Sequence, residues 1–200
     1  MDGLRRLAQV GAAVALGLGL AATTVQARVQ PAVEVTTDAH GASGVIHGLV
    51  DIDATPPVVW KVLLDCAGAP KLMVNLKSCR ILRQDRAGRW DEREQISRGG
   101  VLPGIRTVVH ADYDAPSSVT FHSIAGDLKL LEGQWRLQPL DGGARTRVYY
   151  DSRVTAPFAA PGPLVRAVLR HDMPRTLANL RQACEAHPEA PQPEKHAPPA

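Results

Sequence analysis

The stretch WDEREQIS, residues 90–97, holds the arrangement most able to do chemistry, two glutamates two positions apart. In a β-strand alternate side chains share a face, which sets Glu92 and Glu94 beside Trp90 and Ile96. A carboxylate pair held against apolar groups binds protons more tightly and can act as acid and base. The alternative is that DEREQ, polar on both faces, is a strand end projecting past the core, and no catalytic role is assigned to it. His47, His110 and His122 fall on alternating segments, each opposite the main apolar residues of its strand, and so read as solvent-facing. His171 adjoins Asp172 on a helical pattern, where neighbouring positions do not face each other. Tyr150 and Ser152 do lie on an apolar face; their hydroxyls either orient a ligand oxygen or bond within the core.

No hydrolase elbow, phosphate loop, dinucleotide fingerprint or metal box is present, so neither cofactor nor metal is expected. The three cysteines are Cys66, Cys79 and Cys184. Cys66 and Cys79 bound a short loop, DCAGAPKLMVNLKSC, that turns at Gly68 and Pro70. In an oxidising compartment they are expected to pair, leaving Cys184 free; the alternative is three buried thiols.

The compartment is suggested by the first 27 residues. Arg5 and Arg6 precede an apolar run from about Val10 to Ala22, and Val25-Gln26-Ala27 presents the small residues of a cleavage site. The run is short for a membrane span. Residues 1–27 therefore read as a signal peptide, residues 28–43 as a linker, and the protein as exported to the periplasm. From Glu185 onward five of the 16 prolines accompany no large apolar side chain, so residues 185–200 read as a disordered tail. The net charge is +3 and aromatic residues make up 4% of the chain. With Lys and Arg scattered, the footprint of a nucleic-acid binder is missing.

The elements that must position these groups follow from periodicity. GVIHGLVDID, from Gly44, alternates as a strand. Thr55-Pro56-Pro57 opens a helix through VVWKVLLD, and a second short helix is placed near Ala69–Leu72. Period-two segments follow at 78–84, 90–97, 105–113 and 118–124, divided by turn residues. Leu131, Gly133, Trp135 and Leu137 share one face of the next strand, and Thr146, Val148, Tyr150, Ser152 and Val154 one face of the last. PGPLVRAVLRHDMPRTLANLRQAC then reads as a long helix, with Pro174 expected to kink it. An antiparallel sheet buried on one face needs a second layer, and this helix is the only element long enough to supply it.

The order of these elements resembles the START-like helix-grip superfamily, SRPBCC. VTFHSIAGDLKLLEGQWRLQPL is similar to the family stretch in which a Gly-Asp turn leads to Lys and then Gly-x-Trp. Thr146, Val148 and Tyr150, the Pro157–Pro163 loop and HDMPRTLANLRQA are similar too. The chain looks most like the polyketide cyclase/dehydrase and lipid-transport family that includes coenzyme Q-binding START domains, over residues 44–184. The resemblance implies an α+β helix-grip fold: a curved antiparallel sheet of about seven strands wrapped around a long C-terminal helix, with two short helices after the first strand. It also implies an apolar cavity between sheet and helix. Val109, Phe121, Trp135, Val148 and Tyr150 should face that cavity, with Leu164, Val168 and Leu177 opposite.

The expected function is that of a monomeric carrier for a lipid, quinone or isoprenoid, with transient membrane contact. Two other readings stay open: a cyclase- or hydrolase-like enzyme acting in the same cavity, and an interaction module whose core is full.

Overall fold

The computed structural model describes residues 30–37, 43–98, 104–156 and 162–186. The leader, nearly all of the tail and residues 157–161 of the Pro157–Pro163 loop lie outside the described residues. Eight strands form one sheet: β1 (Ala32–Thr37), β2 (Ser43–Ile52), β3 (Leu76–Gln84), β4 (Trp90–Ser97), β5 (Ile105–Asp114), β6 (Ser118–Gly126), β7 (Leu130–Leu140) and β8 (Arg145–Thr155). Helices α1 (Pro56–Leu64) and α2 (Ala69–Leu72) follow β2, and α3 (Gly162–Glu185) closes the chain. The order across the sheet is β1-β2-β8-β7-β6-β5-β4-β3, antiparallel at every step.

This is the α+β helix-grip arrangement, with eight strands rather than seven. The additional strand is β1, which occupies part of the stretch read as a linker. Its burial alternates, and Val35 is buried. It pairs only with β2 and forms one edge of the sheet.

One face of the sheet is packed and the other is wet. Val50, Ile52, Val109, Phe121, Leu137 and Val148 are buried on the inner face, where they meet Leu177, Leu180 and Cys184 of α3 and Val58 and Val59 of α1. Close approach of α3 to β2 depends on two glycines. A Cβ at Gly44 would stand 2.5 Å from Leu169 Cδ1, and one at Gly48 3.0 Å from Leu177 Cδ1. Helix α3 runs on through Pro174. At the far end of β2, Thr146 Oγ1 donates to Ala54 O at 2.7 Å, which anchors the corner where α1 begins.

The corner between α1 and α2 is held covalently. Cys66 and Cys79 form a disulfide with Cα atoms 5.3 Å apart, tying the start of α2 to β3, the opposite edge strand. Cys184 is a buried free thiol that burial pushes up to about 12.

Candidate functional site

A cavity of about 140 Å³ lies between the inner face of the sheet and the three helices. Its walls are chiefly apolar. Leu63 and Leu64 come from α1, Leu72 from α2, Leu131 from β7 and Leu180 from α3. Of the residues expected to face it, Val109, Phe121, Trp135 and Tyr150 line it. The three rings form one group: Tyr150 lies 4.3 Å from Trp135 and 6.1 Å from Phe121, between centroids.

The other expected lining residues are placed elsewhere. Val148 and Leu177 are fully buried in solid core and do not reach the cavity. Leu164 and Val168 are 46% and 43% exposed. Leu169 meets Gly44 near the beginning of β2, and Arg166 Nη2 donates to Thr37 Oγ1 at the end of β1 at 2.9 Å, so residues before Arg166 run on past the sheet. At about 1.5 Å per residue, Leu164 stands beyond the end of the strands.

One charged group breaks the apolar lining among the described residues, and it comes from the face of β4 that the sequence did not single out. Asp91 pairs with Ala111, and Arg93 with Val109, across the ladder to β5. Both Ala111 and Val109 point into the core, so Asp91 and Arg93 do as well, and they are 7% and 8% exposed. Arg93 donates from Nε to Asp91 Oδ1 at 2.9 Å and from Nη2 to Asp91 Oδ2 at 2.5 Å. Nη2 also donates to Tyr113 Oη at 2.6 Å. Trp60 of α1 sets its ring edge-on to Tyr113 at 6.0 Å, closing the outside of this trio. Arg93 and Gln95, the next inward residue, both line the cavity.

The electrostatics keep this trio's protons in place. Burial opposes the charge of Arg93, but hydrogen bonding to Asp91, the Asp91 charge and the hydrogen bond to Tyr113 more than offset it, so the guanidinium holds its proton more tightly than usual. Burial, then hydrogen bonding to Asp91, pushes the Tyr113 phenol well up. Burial also pushes up the phenol of Tyr150. Ser152, two residues on and on the same face as Tyr150, is buried but is not among the residues lining the cavity.

Glu92 and Glu94 lie on the outer face with Trp90, away from the cavity. Glu94 accepts from Arg106 Nε at 2.7 Å and Arg80 Nη2 at 3.0 Å, and these bonds hold its carboxyl below the usual range. Glu92 meets Arg83 and His110. The three strand histidines share that face: Trp90 stacks on His110, His110 leans on His122, and His47 lies 2.7 Å from Asp151. Among the described residues no group of His, Cys, Asp or Glu side chains is placed to hold a metal ion, and no helix is long and apolar enough to cross a membrane.

With this geometry in view, the chain is similar to proteins of two kinds. A family model described as polyketide cyclase / dehydrase and lipid transport matches residues 52–181. Among solved structures, a STAR-related lipid transfer protein from Xanthomonas axonopodis is 19% identical, covering 78% of this chain and 93% of its own, with a TM-score of 0.65. Human STARD10 is 13% identical over 80% of this chain and 71% of its own, also at 0.65. The Zhui aromatase/cyclase from Streptomyces sp. R1128 is 15% identical over 72% and 92%, at 0.57. At these identities the likeness shows the fold. No curated protein sequence matches the chain.

Proposed function

The chain belongs to the polyketide cyclase / dehydrase and lipid transport family, and from that premise we propose that it is an exported carrier for an apolar molecule bearing one hydrogen-bond acceptor, of the lipid, quinone or isoprenoid class. The observation that carries this reading is the asymmetry of the cavity, greasy on almost every wall and cationic at one point. Burial of the apolar body supplies about 25 cal/mol per Å², less the cost of immobilisation. Arg93 sets which end of the guest goes where. Its Nη1 has no protein partner among the described residues and is the donor left for a carbonyl, carboxylate or hydroxyl oxygen. Asp91 holds the guanidinium in one orientation, so little ordering remains to be done when the ligand arrives.

The protonation states favour carriage over turnover in the same cavity. The titratable side chains among the described lining residues are Arg93 and Tyr150, and both are shifted toward keeping their protons. General acid–base work at neutral pH calls for groups shifted the opposite way. The disulfide supports an oxidising compartment, in keeping with export to the periplasm.

Two fluorescent probes that differ by one anionic group test the reading. Phenylnaphthylamine is apolar; anilinonaphthalene sulfonate adds an oxyanion. The sulfonated probe is expected to bind about tenfold more tightly, as a hydrogen bond to a charged group allows, and Arg93→Gln is expected to erase that advantage while leaving the apolar probe bound. Equal binding of both probes by the wild type would remove Arg93 from the ligand site.

A further inference from the structure

The disulfide encloses the thinnest wall of the cavity. Between Cys66 and Cys79 the chain makes the turn at Gly68, the four residues of α2 and the approach to β3. From this segment Ala69, Leu72 and Met73 line the cavity, and Met73 is 37% exposed, so the wall there is one side chain thick. A helix of four residues does not sustain itself, and no side chain caps α2. Hydrogen bonds reach the segment from α3 and from the end of β4. Asn179 Nδ2 donates to Leu72 O at 3.0 Å, Val74 N to Thr176 Oγ1 at 3.4 Å, Asn75 Nδ2 to Asp172 Oδ2 at 2.9 Å, and Arg98 N to Asn75 O at 2.7 Å. Cys66, Ala69 and Leu76 are buried in a patch apart from the main core cluster of Val50, Val148, Leu177 and Leu180.

The two sulfurs of the bridge differ in access. Cys66 is 7% exposed, whereas Cys79 is half-buried on β3, an edge strand with no neighbour beyond it. Lys77 and Arg80 flank Cys79 along the strand, both exposed, with Arg80 engaged by Glu94. Asp65 adjoins the buried Cys66 at the other end. An incoming thiolate therefore meets cations at the approachable sulfur. Nearby cations also favour a cysteine thiolate once it has formed, and bridges open to attack are the labile ones.

We propose that the Cys66–Cys79 bridge is a redox latch on the cavity, closed when oxidised and opened by a dithiol reductant. A thiolate of the reductant attacks the Cys79 sulfur, the bridge breaks, and the Cys66 sulfur leaves as a thiolate that takes up a proton. The reductant's second thiolate then displaces the Cys79 sulfur, which is protonated in turn. Two electrons and two protons pass to the cysteines, and the dithiol ends as a disulfide. The enclosed segment is then held by the hydrogen bonds above and its few buried side chains. The wall at Leu72 and Met73 lifts from the guest while the main core stays closed. The latch rests on the carrier reading for its purpose. Its opening is measured with no guest present, so the two can fail separately.

The test is amide hydrogen exchange of the folded protein before and after dithiothreitol, beside phenylnaphthylamine release followed by stopped flow. Alkylation with iodoacetamide, read by mass, reports whether the bridge has opened. On reduction, exchange in residues 67–78 is expected to quicken by up to about a hundredfold, as the loop-closure entropy of so short a bridge allows. Strands β7 and β8 are expected to stay protected. Probe release is expected to quicken in step and to slow again once oxidised glutathione restores the bridge. Cys66→Ser with Cys79→Ser is expected to release the probe quickly with or without dithiothreitol, and Cys184→Ser to respond as the wild type does. A bridge that dithiothreitol leaves intact in the folded protein, or reduction with unchanged exchange at 67–78, would overturn the latch. So would quickened exchange with unchanged probe release, or exchange that quickens equally across the whole sheet, since the bridge would then serve overall stability alone. Selective quickening at 67–78 in a protein that binds no probe in either state would sustain the opening and overturn the carrier reading instead.

Discussion

Asp91 and Arg93 stand two residues apart on one strand, share its inner face, and form a two-pronged ion pair inside a chiefly apolar core. Removing one member of such a pair leaves the other charge buried alone, which costs about 3–5 kcal/mol, whereas replacing both with apolar residues of similar size is close to neutral. Arg93→Met is therefore expected to lower stability by about that amount, and the double change Asp91→Leu with Arg93→Met to recover most of it. Urea unfolding measures both. The double variant should still bind the apolar probe and have no preference for the sulfonated one, which separates the pair's role in recognition from its role in the fold.

A second ion pair makes the fold acid-sensitive. Arg147 donates to both oxygens of Asp51, at 2.6 and 2.8 Å, and these bonds hold the Asp51 carboxyl below its ordinary value of 3.8. A carboxyl depressed in the folded state contributes its full stability above its unfolded value, and the contribution is lost as pH falls through the folded one. Asp51→Asn is expected to cost about 1.5–3 kcal/mol at neutral pH, as for a hydrogen bond to a charged group, and much less in strong acid. Denaturant titrations at the two pH values give the difference; an equal cost at both would rule out this pair as the source.

The Cys66–Cys79 bridge closes a loop with a sequence separation of 13. In the chain-entropy account a loop of that length contributes about 3 kcal/mol. Cys66→Ser with Cys79→Ser is expected to lose about that much. The loss should also be felt at the cavity, because the segment inside the bridge supplies Leu72 and Met73 to its wall. Faster dissociation of phenylnaphthylamine from the double variant, followed by stopped flow, is the expected companion effect.

Gly133 is required by close packing. A Cβ there would stand 2.4 Å from Asp151 O and 2.6 Å from Phe121 Cζ. Backbone cannot yield as a flexible side chain can, so Gly133→Ala should cost at least the 1–3 kcal/mol typical of overpacking. It should also displace the Phe121 ring, which lines the cavity. Thermal melting and probe affinity are expected to fall together.

The strands of the central sheet were legible because one face is wet and the other dry, so hydrophobicity alternates. The first short helix was legible from Thr55, the following prolines and an apolar stripe, and the second was placed at Ala69–Leu72 without a signal of that kind. Strand β1 was missed because AVEVTT is short, sits at an edge and carries Glu34 and two threonines, so its alternation is weak. At β4 the facing was left open: Glu92 and Glu94 were set on one face with Trp90 and Ile96, and DEREQ, polar on both faces, read more readily as a strand end projecting past the core. In the fold those four residues cover the outer face, and a complementary pair, Asp91 and Arg93, is buried. Opposite charges at positions i and i+2 of one strand, able to neutralise each other, were the signal available. Leu164 and Val168 could not be placed from periodicity, which tells which side of a helix is apolar but not how far the helix overruns its sheet. The pairing of Cys66 with Cys79 was expected from their short loop and from export.

The cavity must hold a guest for the carrier account to stand. The most direct measurement is native mass spectrometry of the protein purified from its own host, beside the variant Ala111→Leu, which adds bulk at a buried residue of the cavity wall. The wild type is expected to carry a non-covalent, organic-extractable mass that the variant has lost while remaining folded. A wild type of bare protein mass, or a variant that keeps the same passenger, contradicts it.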